Sequence, residues 1–437
     1  MDGKNNKWRW VIALLSAFSL VGAACVGGGG EEEGTGELSG ETIEVMAKWT
    51  EGTAEQGPFL EVLRAFEEET GAQVDYTPAG DEIPTVLGTR VEGGDPPDVA
   101  ILPQPGVFRD FAERDVLLPL EDVVGEDIDA NFAPVWRELG SVDGTLYGVW
   151  FKASNKNTFW YNVNVFNDAG VEPPTTWDEL QQVAQTIKDS GFPPYAIDGA
   201  SGWVLSDWFE SIYVRTAGVD MYDALTTHEI PWTNQSVKDA LTIFGDVVRD
   251  PENLLGGTDG TLQSEFPAAV ALTFADPPQA GMYYEADFLA SPIVEAGGEV
   301  GTDADFFEFP TIDVTEPVVL AAGDVAVMLK DSPAAQAVIQ WLASAEAAEI
   351  WAGQGGFLSP NQAVDTSAYP DDITRRAAES LVETETVRFD LSDQQPGEFG
   401  ATAGQGIWGL LQEFIRDPDD VDGIAEQLET AAARAFG

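Results

Sequence analysis

Residues 43–76, IEVMAKWTEGTAEQGPFLEVLRAFEEETGAQVDY, decide the fold class. Ile43-Glu44-Val45-Met46-Ala47 alternates an apolar face, as a half-buried strand does. Phe59, Leu63 and Phe66 then recur at helical spacing until Gly71 stops the run, and Gln73-Val74-Asp75-Tyr76 reads as a second strand. A further helical stretch leads to the turn Gly93-Gly94-Asp95-Pro96-Pro97 and the apolar strand Asp98–Leu102. Strand, helix and strand at this spacing predict parallel pairing through right-handed crossovers, hence an α/β fold. Later helices carry their own start signals: Thr176-Trp177-Asp178-Glu179 has the form of a capping box, and Ser332-Pro333 that of an N-cap with a first-turn proline. Ile424, Leu428 and Ala431–Ala432 predict a terminal helix.

Composition narrows the chemistry. The chain has 437 residues, one cysteine, one histidine, and a formal charge of −55 from 76 acidic and 21 basic residues. Such a charge disfavours nucleic acid and anionic lipid as partners, and salt or acid outside the cell accounts for it. Any Ser-His-Asp or Cys-His mechanism would have to use His228, which sits in a polar loop before Pro231. A multi-histidine or Cys/His zinc site is excluded by count. Gly256-Gly257-Thr258-Asp259-Gly260 lacks the lysine of a phosphate loop. Asp417–Gly423 breaks calcium-loop spacing at Val421 and lacks the closing glutamate, so it reads as a connection between helices. No cofactor and no metal are expected.

The amino terminus predicts export. Lys4, Lys7 and Arg9 precede the apolar run Trp10–Val21, too short to span a bilayer comfortably, and Gly22-Ala23-Ala24-Cys25 follows. This resembles the lipobox of bacterial lipoproteins, departing from it at Gly22, and the resemblance implies lipid attachment at Cys25. Residues 1–24 would be the signal peptide and 25–40, rich in glycine and glutamate, a flexible tether. Residues 1–24 hold three basic and one acidic residue, so their loss takes the charge from −55 to −57. The mature chain, about 400 residues, exceeds what one hydrophobic core usually supports, which predicts two lobes.

Four segments, in order, resemble the family 1 extracellular solute-binding proteins of bacterial ABC importers, the group that includes maltose-binding protein. They are Trp49-Thr50-Glu51 with the helix ending Ala65–Gly71; Gly93–Val99 continuing through Leu102-Pro103-Gln104-Pro105-Gly106 to Leu117–Leu120; Leu146–Lys152 with Trp160-Tyr161-Asn162 and Pro173–Leu180; and Val319–Asp324 with the Ser332 helix and Gly355–Pro360. The Leu-Pro-Gln-Pro-Gly and Trp-Phe-Lys stretches are most similar to the α-glucoside-binding subgroup. The resemblance implies a two-lobed, class II periplasmic-binding-protein-like fold, each lobe a mostly parallel sheet flanked by helices and joined by hinge strands. It places residues 41–151 plus 314–367 in the first lobe and 152–313 plus 368–437 in the second. Expected partners are a neutral oligosaccharide, an α-glucoside or another, and an ABC permease in the cytoplasmic membrane, with the binding chain a monomer anchored by lipid at the outer face.

A sugar presents apolar ring faces and a rim of hydroxyls, so its site needs aromatic planes and acceptor-rich side chains. In α/β sheets such sites lie beyond the carboxyl ends of strands. Trp49 and Glu51 follow the first strand at a family position that contacts ligand, although Trp49 alone could equally be core. Asp81 follows the next strand and reads as either a ligand contact or a turn residue; Gln104 stands between two prolines after the third. Lys152 falls at the family's ligand-contacting position on the hinge strand, where maltose-binding protein carries a carboxylate. Trp203, Asp207 and Trp208 cluster at a helix expected to start near Ser206, where Asp207 could simply favour the helix dipole. Asp287 and Phe288 match a family segment with a stacking aromatic, and Asp324 follows the Ala322-Gly323 turn. The chain is thus expected to bind and not to catalyse. The rival readings are a secreted glycoside hydrolase with a carboxylate pair, which sugar release would reveal, and a sugar-sensing protein feeding a membrane receptor.

Overall fold

The computed structural model describes residues 37–384 and 386–437. The expected signal peptide, Cys25 and most of the expected tether therefore lie outside the described residues. Among the described residues eleven strands occur, in the order β1 (Thr42–Ala47), β2 (Gln73–Pro78), β3 (Val99–Leu102), β4 (Ser141–Val142), β5 (Thr145–Leu146), β6 (Gly148–Asn155), β7 (Thr158–Asn162), β8 (Met282–Tyr284), β9 (Ala304–Glu308), β10 (Val319–Met328) and β11 (Val387–Phe389). The first sheet runs β11-β10-β3-β1-β2, with β6 also on β10. β1 pairs parallel with β2 and β3, as the opening stretch predicts. The helix between β1 and β2, Gln56–Thr70, buries Phe59, Leu63 and Phe66 and ends on Gly71 at φ 76°, a left-handed turn that glycine adopts without strain. β10 runs antiparallel to β3 and β6 and parallel to β11, so the sheet is mixed.

The second sheet, β8-β7-β9, is antiparallel throughout, unlike the mostly parallel sheet expected for that lobe. Isolated parallel bridges at Tyr195–Met282, Tyr195–Leu254 and Thr176–Thr311 extend it. The pleat divides its aromatic residues. Trp160, Tyr283 and Phe306 join the hydrophobic cluster that includes the first sheet, while Phe159, Tyr284 and Phe307 join a second cluster under helices Trp177–Asp189, Trp203–Ala217 and Gln235–Val248. Two sheets and two hydrophobic clusters result, the second sheet giving one face to each, in a two-lobed fold. The chain passes between the sheets at 155–158, 308–319 and beyond Phe389. The last crossing follows β11, because Val387–Phe389 pair with Val319–Ala321 of the first sheet, beyond the expected limit at 367.

Local start signals act as read. Thr176 accepts from the amide of Glu179, and the Glu179 carboxylate takes the Thr175 and Thr176 amides, completing the capping box. Thr176→Ala is expected to cost about 1 kcal/mol, read as a lower urea midpoint with an unchanged slope. Ser332 caps the helix Pro333–Ala343 through the amide of Ala335. Among the described residues no helix is long and apolar enough to cross a membrane.

Candidate functional site

Lys152 and Asp324 face one another in the β6–β10 register, where Gly323 lets the strands approach: a Cβ there would stand 2.4 Å from the Lys152 carbonyl. The Lys152 ammonium lies 3.1 Å from Asp324 and 3.0 Å from Glu55, and Lys48 lies 3.3 Å from the other Asp324 oxygen. Burial alone would raise the Asp324 carboxyl, but Lys48 and Lys152 outweigh it and hold it below its ordinary value. Glu51 stands exposed in the turn after Trp49, so Glu55, not Glu51, brings a carboxylate to this group. Gln104 sits at the extended N-cap position of Pro105–Glu113 without capping it, and its buried Oε1 has no protein donor. The neighbouring Gly106 meets the carbonyls of Asp393 and Gln395, which places this turn against the segment after the last crossing. Asp81 lies in the single turn Gly80–Glu82; its side chain is outside the described set.

On the second-sheet side, Asp287 follows β8 and accepts the Asn155 amide at 2.5 Å, while its Oδ2 is buried without a donor. Burial pushes its carboxyl up to about 7, against the Asn155 bond and the Lys152 charge. Asp287 thus lies within the field of Lys152 and Glu55, beside the first-sheet group. Half-buried Phe288, Trp203 and Phe266 form an aromatic triad: Trp203–Phe266 5.6 Å, Trp203–Phe288 6.4 Å and Phe266–Phe288 5.8 Å between ring centroids. Trp203 opens its helix, three residues earlier than expected, because left-handed Gly202 (φ 96°) starts the helix there. Asp207 lies one turn on along the same face.

Asp207 belongs to a buried ionic group. Lys156, at the first crossing, pairs with Asp207 at 2.8 Å and with Asp390 at the last crossing. Burial would lower the Lys156 ammonium, but Asp207 and Asp390 hold it well above its ordinary value. Burial raises Asp207 and Glu285, within hydrogen-bonding reach of each other, whereas Lys156 holds Asp390 down despite burial. Asp207, Glu210 and Asp390 offer oxygens within 4.8 Å of one another. The Lys156 ammonium already supplies the positive charge there.

Two expected ligand contacts are corrected. Trp49, 2 % exposed, is packed against Phe59 at 4.6 Å and Trp351 at 5.0 Å, with Phe151 at its edge; these rings occupy the faces a sugar would need. Trp208, 0 % exposed, lies between Phe159, Tyr195, Phe244 and Tyr284 in the second core. Both follow the apolar side of their elements, where burial of a large ring is the stronger tendency. The structure brings Lys152, Asp324 and Asp287 together and groups Trp203 with Phe288. Sequence reading missed Glu55, Phe266, Glu285, Lys156 and Asp390. Of these only Phe266 offered a local signal, an aromatic before Pro267 at a helix start.

The profile of the bacterial extracellular solute-binding proteins matches residues 44–349. The chain belongs to that family. This solute-binding protein is 35 % identical over 84 % of its length to the osmoprotective compounds-binding protein GgtB of Synechocystis sp., covering 87 % of that protein. It is 33 % identical over 88 % of its length to the alpha-glucosides-binding periplasmic protein AglE of Rhizobium meliloti, covering 86 % of it. The solute receptor AcbH shares the fold at TM-score 0.80 and 20 % identity, with 91 % of this chain and 100 % of that one aligned. RafE in complex with raffinose does so at TM-score 0.74 and 17 % identity, over 91 % and 100 %. The solute-binding protein is a binding subunit, not an enzyme.

Proposed function

We propose that the chain captures a carbohydrate between its two lobes and delivers it to an ABC permease, an α-glucoside or other small oligosaccharide being the ligand. The carrying observation is the Trp203, Phe266 and Phe288 group, with Asp287, whose buried Oδ2 has no donor, next to Phe288 in the chain. Aromatic rings suit the faces of a pyranose, and carboxylate oxygens accept from its hydroxyl rim. Gln104 Oε1 adds an acceptor from the first-sheet side. The alpha-glucosides-binding relative supports this ligand class, and the osmoprotective compounds-binding relative suits a strongly acidic, salt-adapted surface. Lys152 and Asp324 would orient the Asp287 side of the cleft and the first hinge strand. Lipid attachment at Cys25 and the lobe limits near the three crossings belong to the same reading.

A thermal-shift screen with mono- and disaccharides tests it. Binding to the native state alone raises the melting temperature with ligand concentration. A response to amino acids or peptides, and to no sugar, would overturn the substrate class. Trp203→Ala and Phe288→Ala are each expected to weaken binding by about 5-fold, at roughly 1 kcal/mol per stacked ring, measured by titration calorimetry. The unliganded melting temperature should stay within a few degrees, since both rings are only half-buried. Loss of folding would assign them to the core instead.

A further inference from the structure

The helix Trp203–Ala217 buries four polar side chains along one stripe: Asp207, Glu210, Ser211 and Arg215, at helical spacing and none more than 4 % exposed. Its other buried side chains, Val204, Leu205, Trp208, Phe209, Ile212, Tyr213 and Val214, belong to the second core. Buried polar groups destabilise a fold unless they find partners, and the partners of this stripe lie on all three crossings between the sheets. Asp207 holds Lys156 of the first crossing at 2.8 Å, and the Arg215 guanidinium donates to the Asn157 side-chain oxygen in the same crossing. Ser211 meets the Tyr284 hydroxyl, which donates to the Lys156 carbonyl at 2.7 Å. At the second crossing the Arg215 guanidinium lies 4.7 Å from the centre of the Phe309 ring, and the Arg215 carbonyl takes the amides of Asp313 and Val314 at 3.0 and 2.8 Å. At the third, Glu210 Oε2 accepts the Leu391 amide at 2.5 Å and lies 2.9 Å from the Tyr222 hydroxyl, itself 2.9 Å from the Phe389 carbonyl.

Resting on the reading that ligand is captured between the lobes, we propose that this stripe fastens the hinge to the second lobe: Glu210 and Arg215 are positioning residues that hold the crossings on one rigid helix, so that opening and closing bend the chain only on the first-sheet side of it. A hinge turns on a few dihedrals at element ends. A crossing pinned at one end to a helix can turn only at its other end. The other ends are defined here: the Lys156 and Asp390 amides donate to the β10 carbonyls of Leu320 and Ala321, each at 2.8 Å, and the second crossing exposes Thr315, Glu316 and Pro317 between Val314, which Arg215 holds, and buried Val318. Bending is thereby confined to 155–157, 315–317 and 390–391. The second-lobe wall of the cleft keeps its shape while the first lobe swings, and closure has less chain freedom left to freeze.

The distance between the lobes tests the proposal. Replacing the only cysteine (Cys25→Ser) lets spin labels be placed at Asp127→Cys and Glu426→Cys, exposed positions on the helices Glu121–Asn131 and Val421–Phe436, and read by double electron–electron resonance. In Arg215→Met and in Glu210→Leu the ligand-free distance distribution is expected to widen at least twofold over the parent's. Ser332→Ala, which removes a helix cap away from the crossings, should leave the width unchanged. Circular dichroism confirms folded variants, and where one fails to fold the other decides. An unchanged width in the folded hinge variants would overturn the proposal, as would equal widening in Ser332→Ala, which would make the effect one of general stability. Maltose, trehalose or sucrose is expected to shift and narrow the parent distribution. No shift with any of the three would count against the carbohydrate reading alone, because the ligand-free widths judge the hinge.

Discussion

Replacing Lys156 by methionine is expected to remove about 3–5 kcal/mol of folding stability at pH 7, a large share of the roughly 5–15 kcal/mol that holds a typical domain together. Methionine fills much the same volume, so the loss is electrostatic. The Lys156 ammonium is buried between Asp207 and Asp390, with Glu285 and Glu210 in its field. Without it, Asp390 loses the charge that keeps it ionised against its burial. The sign with pH follows from that group. The folded Asp390 carboxyl lies below its ordinary 3.8, so its stabilisation is present above that value and is lost as pH falls through the lower folded one. In the variant this contribution disappears, and the deficit should be largest at neutral pH and narrow towards pH 4 as the orphaned acids take up protons. Urea denaturation at pH 7 and pH 4.5 reads it directly. An equal deficit at both values would make the loss one of packing. Adding Asp207→Asn and Asp390→Asn should recover much of the stability, because the buried negative charge is then gone.

That ionic group shows where sequence reading stops. Helix and strand periods, the capping box at Thr176 and the Ser332 cap are local signals, carried by residues within one turn of each other, and the structure holds each of them. The crossover pattern of 43–102 fixes parallel neighbours β1, β2 and β3 for the same reason. Lys156, Asp207 and Asp390 are far apart in sequence and meet only because the first and last crossings pass the start of the Trp203 helix. Among 76 acidic residues nothing local marks Asp390 as buried. Trp49 and Trp208 were misread for the converse reason. A tryptophan beside a strand end or a helix start looks alike whether its ring turns to a cleft or to the core, and the deciding neighbours, Trp351 and Tyr284, come from distant elements. Lys152 and Asp287, singled out at matched family positions, come together in the structure with Asp324, because such positions carry tertiary information that periodicity lacks. Glu55 escaped because Glu51 is the residue nearer the strand end, while the N-terminus of the next helix carries Glu55 back to Lys152.

Asp287→Asn should raise the stability of the unliganded protein and weaken its hold on ligand, a combination that separates a binding residue from a structural one. The Asp287 carboxyl, held at about 7 against an ordinary 3.8, keeps its proton more tightly folded than unfolded. Its favourable contribution is therefore complete below about pH 4 and is lost as pH rises through about 7. Asparagine mimics the neutral acid and still accepts the Asn155 amide at its carbonyl oxygen. At pH 8 the variant should consequently be the more stable, by up to a few kcal/mol at about 1.4 kcal/mol per pH unit, and at pH 4 the two should coincide. Binding should move the other way. A hydroxyl donating to ionised Oδ2 makes a charge-assisted bond, commonly about 1.5–3 kcal/mol, so the variant is expected to bind about 10- to 100-fold more weakly at pH 8. The wild type should also bind less tightly as pH falls below 7, because the ligand must then displace a proton, whereas the Asp287 step should be missing from the variant's profile. The groups facing this carboxyl are Lys152 and Glu55 from the first-sheet side and Tyr369 from the segment before the last crossing. Lys152, held well above its ordinary value, stays charged across the range, so it adds no step of its own. Chemical denaturation and calorimetry at pH 5, 6, 7 and 8 measure both trends. A variant with unchanged affinity would remove Asp287 from the binding surface, and one that is destabilised at pH 8 would make its negative charge a structural partner of Lys152.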